Sequence, residues 1–143
     1  MRKTSSAATI ALALTMFWPL GNARAQQATR CPSLPADSTL RWEEVRAPDL
    51  LFCKAMDGDA QVFSVMLAAE SPFNPSRSQR AETSTIHGQE ARWYRTEIAS
   101  RPDLQARETS IELPGGAIAY FNVQAESDQA LQRAYAQISA LDF

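Results

Sequence analysis

Few residues in this chain have the types and spacing that catalysis needs. His87 is the only histidine, and no serine stands in a Gly-x-Ser-x-Gly motif. A hydrolytic triad requires a histidine beside a nucleophile, held in place by a carboxylate. His87 precedes Gly88, and we interpret it as a turn residue. The sequence therefore predicts a protein that is not an enzyme.

The sequence gives equally little support for a metal site or for catalysis by carboxylates. One histidine and two cysteines cannot furnish a closed tetrahedral zinc site. Asp57 and Asp59 could offer oxygens to calcium, but the alternating ligands and distal glutamate of a calcium loop are absent. The two aspartates suit a tight turn around Gly58 instead. Paired carboxylates for glycoside hydrolysis stay open, because only their separation in space decides that case. We expect no metal and no cofactor.

The two cysteines, Cys31 and Cys53, are interpreted as a disulfide. They are the only pair, and the chain has no Cys-x-x-Cys motif that would indicate a reactive thiol. The bridge would tie an extended, proline-punctuated arm (residues 26–40) to the strand that holds Cys53. Such a bridge persists in an oxidising compartment.

Residues 1–25 have the organisation of a signal peptide. Arg2 and Lys3 give a positive start, and residues 10–20 give an apolar run that is too short for a spanning helix. Ala23-Arg24-Ala25 then supplies the small residues that signal peptidase accepts. Cleavage before Gln26 would place the protein in the periplasm or outside the cell, with no transmembrane segment. A retained membrane anchor is the alternative.

The charge of the mature chain excludes one class of partner. Cleavage would remove Arg2, Lys3 and Arg24 from the 14 basic residues and keep all 16 acidic ones, which leaves 11 basic residues and a net charge of −5. Non-specific nucleic-acid binding depends on neutralising phosphates, so no nucleic-acid partner is expected. Residues 26–143 are the usual size of one domain with its own core.

The elements that hold these residues follow from periodicity. An apolar hairpin is predicted over residues 50–56 and 62–69, and its strands are apolar on both faces, which predicts cover on each side. Alternation predicts further strands at 91–98, 107–113 and 117–125. A closing helix is predicted at 127–141, and its apolar stripe consists of Leu131, Ala134, Tyr135, Ile138 and Leu141.

One amphipathic helix after a run of strands buries its stripe on one face of a sheet. We therefore predict an α+β fold, with an antiparallel sheet of about five to six strands covered by the C-terminal helix.

Two stretches are candidates for contact with a partner. One is a polar, proline-containing loop from residue 71 to about Thr85, since long loops in compact domains are often functional. The other is the polar and aromatic stretch at 92–95, where arginine, tryptophan and tyrosine are residue types enriched at binding hot spots. The candidate contact residues are Phe73, Arg77, Arg80, Arg92, Trp93, Tyr94 and Arg95.

From residue 86 onward the chain resembles the PsbP-like fold, an α/β sandwich that includes DcrB-type bacterial envelope proteins. The features that carry the resemblance are Ile86-His87-Gly88 before a strand, the strands at 107–113 and 117–123, the final helix ending at 138–143, and the earlier hairpin at 50–69. The likeness lies in element order and loose pattern. Members of that family generally act as scaffolds, chaperone-like binders or assembly factors.

The resemblance thus implies an exported, non-enzymatic binding, scaffold or assembly protein whose partner is another envelope protein. An alternative that suits the small size, export, acidity and disulfide equally well is a periplasmic immunity or inhibitor protein, which neutralises a toxin or lytic enzyme. The sequence leaves the oligomeric state open.

Overall fold

The computed structural model describes residues 28–143, so the predicted signal peptide and its cleavage site lie outside the described residues. These residues contain one α-helix, one short 3-10 helix (Arg77–Gln79) and seven strands. The elements are β1 (Arg41–Ala47), β2 (Leu50–Asp57), β3 (Ala60–Ala68), β4 (Arg80–Ile86), β5 (Gln89–Thr96), β6 (Gln105–Glu112), β7 (Ile118–Ala125) and α1 (Asp128–Ser139).

All seven strands form one antiparallel open sheet in the order β1-β2-β3-β7-β6-β5-β4. The predicted α+β arrangement with a C-terminal helix is confirmed, while the predicted number of five to six strands is wrong. Strands β3 and β4 follow each other in the chain but are separated in the sheet by β7, β6 and β5. The segment that joins them, residues 69–79, must therefore cross the sheet, and we call it the crossover segment.

The predicted loop through Thr85 is the main error in the strand count. Its second half forms β4, in which Ile86 is the one buried residue, and β1 has no buried residue. Both strands lie at the edges of the sheet, where fewer side chains face the core and charged and polar residues are common. Edge strands therefore lack the apolar alternation that makes a strand visible in a sequence.

The core lies between the sheet and α1. Ser127 accepts a hydrogen bond from the backbone N–H of Ala130 and caps the helix, as its position in the sequence predicts. The predicted apolar stripe is buried at Leu131, Ala134, Tyr135 and Ile138, and Leu141 beyond the helix is buried too.

On the sheet, Trp93 is fully buried and stacks on Tyr135, with 4.6 Å between ring centroids. Its indole N–H donates to Ser84 Oγ at 2.8 Å. Phe121 completes this aromatic packing from β7, edge-on to Trp93. We call this side of the sheet the inner face.

The opposite side, the outer face, has no α-helix over it within residues 28–143. Phe52 and Met66 pair across β2 and β3 on this face and are only half-buried. The prediction that the first hairpin is covered on both sides is therefore wrong. Phe52 and Met66 are apolar, but Lys54 and Ser64 lie on the same face, and no second layer of the described residues covers this side of the hairpin.

A partly buried ion pair links β4, β6 and α1. Arg107 is 9 % exposed, and its Nε and Nη2 atoms donate to the two carboxylate oxygens of Glu82 at 3.0 and 3.2 Å. The Tyr135 hydroxyl donates to the same carboxylate at 3.2 Å. The hydrogen bonds from Arg107 hold the pKa of Glu82 below its ordinary value, against the opposing effect of burial. Burial raises the pKa of Tyr135, which stays a donor.

The predicted disulfide between Cys31 and Cys53 is present, with the sulfur atoms 2.07 Å apart. It fastens the N-terminal arm to the inner face of β2. Beside it, Ser33 and Asp142 form an isolated antiparallel bridge with backbone hydrogen bonds of 2.7 and 3.2 Å. The arm and the end of the chain are thereby held together over the part of the core that α1 does not reach.

We expect that replacing both cysteines by serine lowers the free energy of unfolding by about 3 kcal/mol, because the bridge closes a loop of 22 residues in the unfolded chain. Urea denaturation followed by circular dichroism measures this change. The amide of Ser33 should also exchange faster with solvent. An unchanged urea midpoint would show that the arm contributes nothing to stability.

The Glu82–Arg107 pair predicts a loss of stability in acid. The folded pKa of Glu82 is lowered, so its contribution is complete above the ordinary value of 4.5 and is lost as the pH falls through the folded value. Glu82→Gln should remove this part of the acid dependence and destabilise the protein near neutral pH by about 2 kcal/mol, because Arg107 loses its counter-charge. Thermal unfolding from pH 7 to pH 3 measures it. The exposed Glu90→Gln serves as control and should retain the acid dependence.

Candidate functional site

The outer face carries an apolar row that runs across neighbouring strands. In the strand register, Val45 lies opposite Phe52, Phe52 opposite Met66, and Met66 opposite Tyr120. Side chains that are opposed in this way are close enough to contact one another. The row leads from the edge strand β1 toward the centre of the sheet, where the crossover segment passes over it.

Phe73 in the crossover segment packs onto two tyrosines of the outer face. Its ring centroid lies 5.5 Å from that of Tyr94 and 5.9 Å from that of Tyr120. We call Phe73, Tyr94 and Tyr120 the aromatic cluster. All three are half-buried, so the cluster is anchored to the sheet and still presents surface to solvent.

Tyr120 is the fixed member of the cluster. Its hydroxyl donates to Glu108 Oε2 at 2.5 Å, and burial together with this carboxylate raises the pKa of Tyr120 to about 12. Glu108 lies opposite Tyr94 in the strand register. The Tyr120 hydroxyl is therefore occupied, and Tyr94 is the tyrosine whose hydroxyl has no hydrogen-bond partner among the described residues.

Four arginines lie near Tyr94, although alternation puts Arg95 on the opposite face of the strand, with Trp93. Arg80 lies opposite Tyr94 in the register, and Arg92 lies two residues before it on the same strand face. Arg77 begins the 3-10 helix, which contacts β5. Arg95 follows Tyr94, and its Nη1 donates to the carbonyl oxygen of Arg80 at 3.1 Å. We call these residues the arginine rim.

None of the four guanidinium groups forms a salt bridge within residues 28–143. The described basic residues Arg46, Lys54, Arg101 and Arg107 all do. The rim is thus a group of exposed cations without internal counter-charges, in a chain whose acidic residues outnumber its basic ones. An arrangement of this kind can bind carboxylates in a partner, since guanidinium groups donate in pairs to such anions.

Five of the seven predicted contact residues come together in this region. Arg95 follows Tyr94 and therefore leaves the strand on its other face, and so does Trp93. Trp93 points to the inner face, where it is fully buried, so it cannot touch a partner. Arg92 and Tyr94 share the opposite face of the strand, as alternation predicts for neighbours of an inward-facing tryptophan.

Tyr120 and Glu108 were not identified as site residues from the sequence. Tyr120 occupies an outward position between the buried Ala119 and Phe121, so alternation alone could have placed it on the exposed face. Its approach to Tyr94 could not be found in that way, because it depends on the strand order and on Phe73 bridging the two.

Recesses in the described residues also lie outside the cluster. One, of about 480 Å³, is lined by Leu50, Met66, Ala68, Pro72 and the carboxylate residues Asp49 and Glu70. It adjoins the crossover segment and offers a mainly apolar wall. Another, of about 540 Å³, lies between the sheet and α1 and includes Arg101 and Arg133. Arg101 there is already neutralised by Asp103 and Glu126, while Arg133 forms no salt bridge among the described residues.

The residues considered for catalysis or metal binding lie in turns between strands. His87 adopts φ 48° beside Gly88 at φ 74° in the turn between β4 and β5, and its ring contacts Phe143. Asp57 and Asp59 flank Gly58 at φ 58° in the turn between β2 and β3. Between residues 28 and 143, no group of three or more histidine, cysteine, aspartate or glutamate residues could hold a metal ion. No helix in the same range is long and apolar enough to cross a membrane.

Comparison with protein-family models, with curated proteins and with solved structures found no match for this chain. The candidate site is therefore interpreted from its own chemistry. That chemistry is a half-buried aromatic cluster, a tyrosine hydroxyl without a hydrogen-bond partner among the described residues, and exposed guanidinium groups without salt bridges.

Phe73→Ala should loosen the crossover segment and leave the sheet intact. We expect a loss of about 1 kcal/mol in the free energy of unfolding, since a half-buried aromatic residue with two ring contacts is removed. Hydrogen exchange should accelerate at residues 69–76, while the near-ultraviolet signal of the buried Trp93 stays unchanged. Phe73→Leu keeps most of the packing volume, so its free energy of unfolding and its exchange rates should lie between those of the wild-type protein and those of Phe73→Ala. Equal exchange in all three would show that Phe73 does not fasten the segment.

Proposed function

We propose that this chain is an exported, non-enzymatic binding protein of the bacterial envelope, and that it binds an acidic partner protein through the aromatic cluster and the arginine rim. The observation that carries the proposal is the placement of exposed arginines without counter-charges beside Tyr94, with Arg80 and Arg92 on its own face of the sheet. In a protein with a net excess of acid, such a group concentrates attraction for an anionic partner in one place.

The residue types support a protein partner. Tyrosine and arginine are enriched among the residues that contribute most to protein interfaces, and tyrosine combines a large contact area with a polar end. Tyr94 would serve as the anchor, and Arg80 and Arg92 would pair with carboxylates around it. The rest of the acidic surface would repel the same partner and so favour one orientation.

The surface is formed before binding. Phe73 supports Tyr94 from the side, and Tyr120 is fixed by Glu108, so the tyrosine does not have to be ordered by the partner. Less conformational entropy is then lost on association. The neighbouring recess at Met66 and Pro72 could receive an apolar side chain of the partner.

The proposals that the protein is exported and that it has a scaffold or assembly role rest on other observations. The disulfide suits an oxidising compartment such as the periplasm, and the leader pattern in residues 1–25 supports secretion. The resemblance to PsbP-like and DcrB-type proteins favours a scaffold or assembly role for the same surface. An inhibitor of a toxin or lytic enzyme would bind its target through the same surface. The identity of the captured partner distinguishes the two roles.

The test is affinity capture from envelope extract, followed by measurement of binding to the purified partner. Tyr94→Ala should weaken binding by about 2 kcal/mol, roughly thirtyfold. Arg80→Glu and Arg92→Glu should each slow association, and binding should weaken with added salt because the attraction is electrostatic.

The matched control is Arg133→Glu, which reverses an exposed arginine on α1 and should leave affinity unchanged. Affinity that is equal for the Tyr94 and rim variants and for the wild-type protein would contradict the proposal, whichever partner is captured.

A further inference from the structure

The sheet has two open edges, and they differ in how well they are protected. At β4 the register shifts between Arg80 and Thr83, as at a β-bulge, the backbone oxygen of Arg80 accepts from Arg95, and α1 contacts the strand. Such features discourage pairing with another strand. At β1 all seven residues pair regularly with β2, and six of the seven are exposed. The β1 edge is therefore the one open to a further strand.

We propose that β1 pairs antiparallel with β1 of a second copy of this chain, in the register that places Val45 opposite Val45. Val45 is 47 % exposed and is the exposed large apolar residue among residues 28–143. The two-fold arrangement would put Glu44 of each copy opposite Arg46 of the other, because directly opposed residues lie on the same face of an antiparallel pair. Two ion pairs would then flank an apolar contact.

The charges of β1 select this register over its neighbours. Centring the pair on Glu44 or on Glu43 would oppose two glutamates, which is destabilising. Centring it on Trp42 would place Arg41 of one copy opposite Glu43 of the other. Both residues already have partners, because Arg41 donates to the carbonyl oxygen of Gly58 and Glu43 pairs with Lys54 at 2.9 Å. Trp42 itself is turned inward, where it donates to Pro32 and contacts Phe63.

Glu44 and Arg46 are free to exchange partners. Within one copy they form a salt bridge only with each other, at 2.8 Å, with side chains that are 37 % and 57 % exposed. The dimer exchanges the two pairs within the copies for two pairs between them, and this exchange costs little, since an exposed pair contributes at most about 1 kcal/mol. Arg46 keeps the hydrogen bond from Nη1 to the carbonyl oxygen of Thr29, and Nη2 is the atom that changes partner.

The dimer should be weak, and its two copies should meet in one defined arrangement. Only residues 43–47 of each copy would pair, and interfaces much below about 1,200 Å² belong to the transient class. The two sheets would join into one, with both outer faces on the same side. The apolar row through Val45, Phe52 and Met66 would then continue into the second copy, and both aromatic clusters would remain open to partners.

Sedimentation velocity over micromolar to millimolar concentrations tests the proposal on the protein purified as the cell produces it. We expect a concentration-dependent dimer. Glu44→Arg and Arg46→Glu should each weaken it about tenfold, because each variant opposes like charges twice. The double variant, Glu44→Arg with Arg46→Glu, should restore the dimer, since it exchanges the two charges and keeps them complementary.

Two further variants separate pairing from folding. Val45→Lys keeps both charges and should give a monomer, because it opposes two ammonium groups. Glu112→Arg makes an equal charge reversal on the distant strand β6 and should leave the dimer unchanged. Circular dichroism confirms the fold of each variant.

A wild-type protein that stays monomeric at every concentration overturns the proposal. A dimer that ignores the single charge reversals, or a double variant that fails to restore it, overturns the register and the pairing with it.

Discussion

The packing of Trp93 against Tyr135 decides which face of the sheet α1 covers, and the surface properties of the protein follow from that choice. The stacked rings, the Ser84 hydrogen bond and the Arg107–Glu82–Tyr135 contacts join β4, β5, β6 and the helix. A helix of 12 residues is about 18 Å long, whereas seven strands span about 29 Å between the outermost two. The helix therefore cannot cover the inner face alone, and the disulfide-linked arm and the end of the chain cover the remainder.

The outer face of the sheet is covered differently from the inner face. The described part of the chain has no second α-helix to cover it, and the chain must still travel from β3 to β4 across three intervening strands. The crossover segment makes this passage and brings Phe73 down on Tyr94 and Tyr120. The same passage brings Arg77 and Arg80 beside the arginines of β5. The aromatic cluster and the arginine rim are thus consequences of strand order, because the connection has no shorter route.

Local pattern was sufficient for much of the fold. Alternation identified the buried positions of β6 and β7, and the 3.6-residue period identified the stripe of α1. Gly58 marked the turn of the first hairpin, where it adopts φ 58°. The cysteine pair could be assigned because two cysteines allow a single bridge. Each of these properties depends on neighbours in the sequence or on simple counting.

What the sequence determined by itself is therefore the set of elements with one buried face, the helix, the disulfide and the acidic balance of charge. The tertiary structure decided the strand order, the identity of β1 and β4 as edges, the burial of Trp93 away from any partner, and the meeting of Phe73 with Tyr94 and Tyr120. The physical reason is that alternation and helical period arise from local backbone geometry. Pairings such as Arg107 with Glu82, 25 residues apart, arise from competition among all the faces the chain must bury.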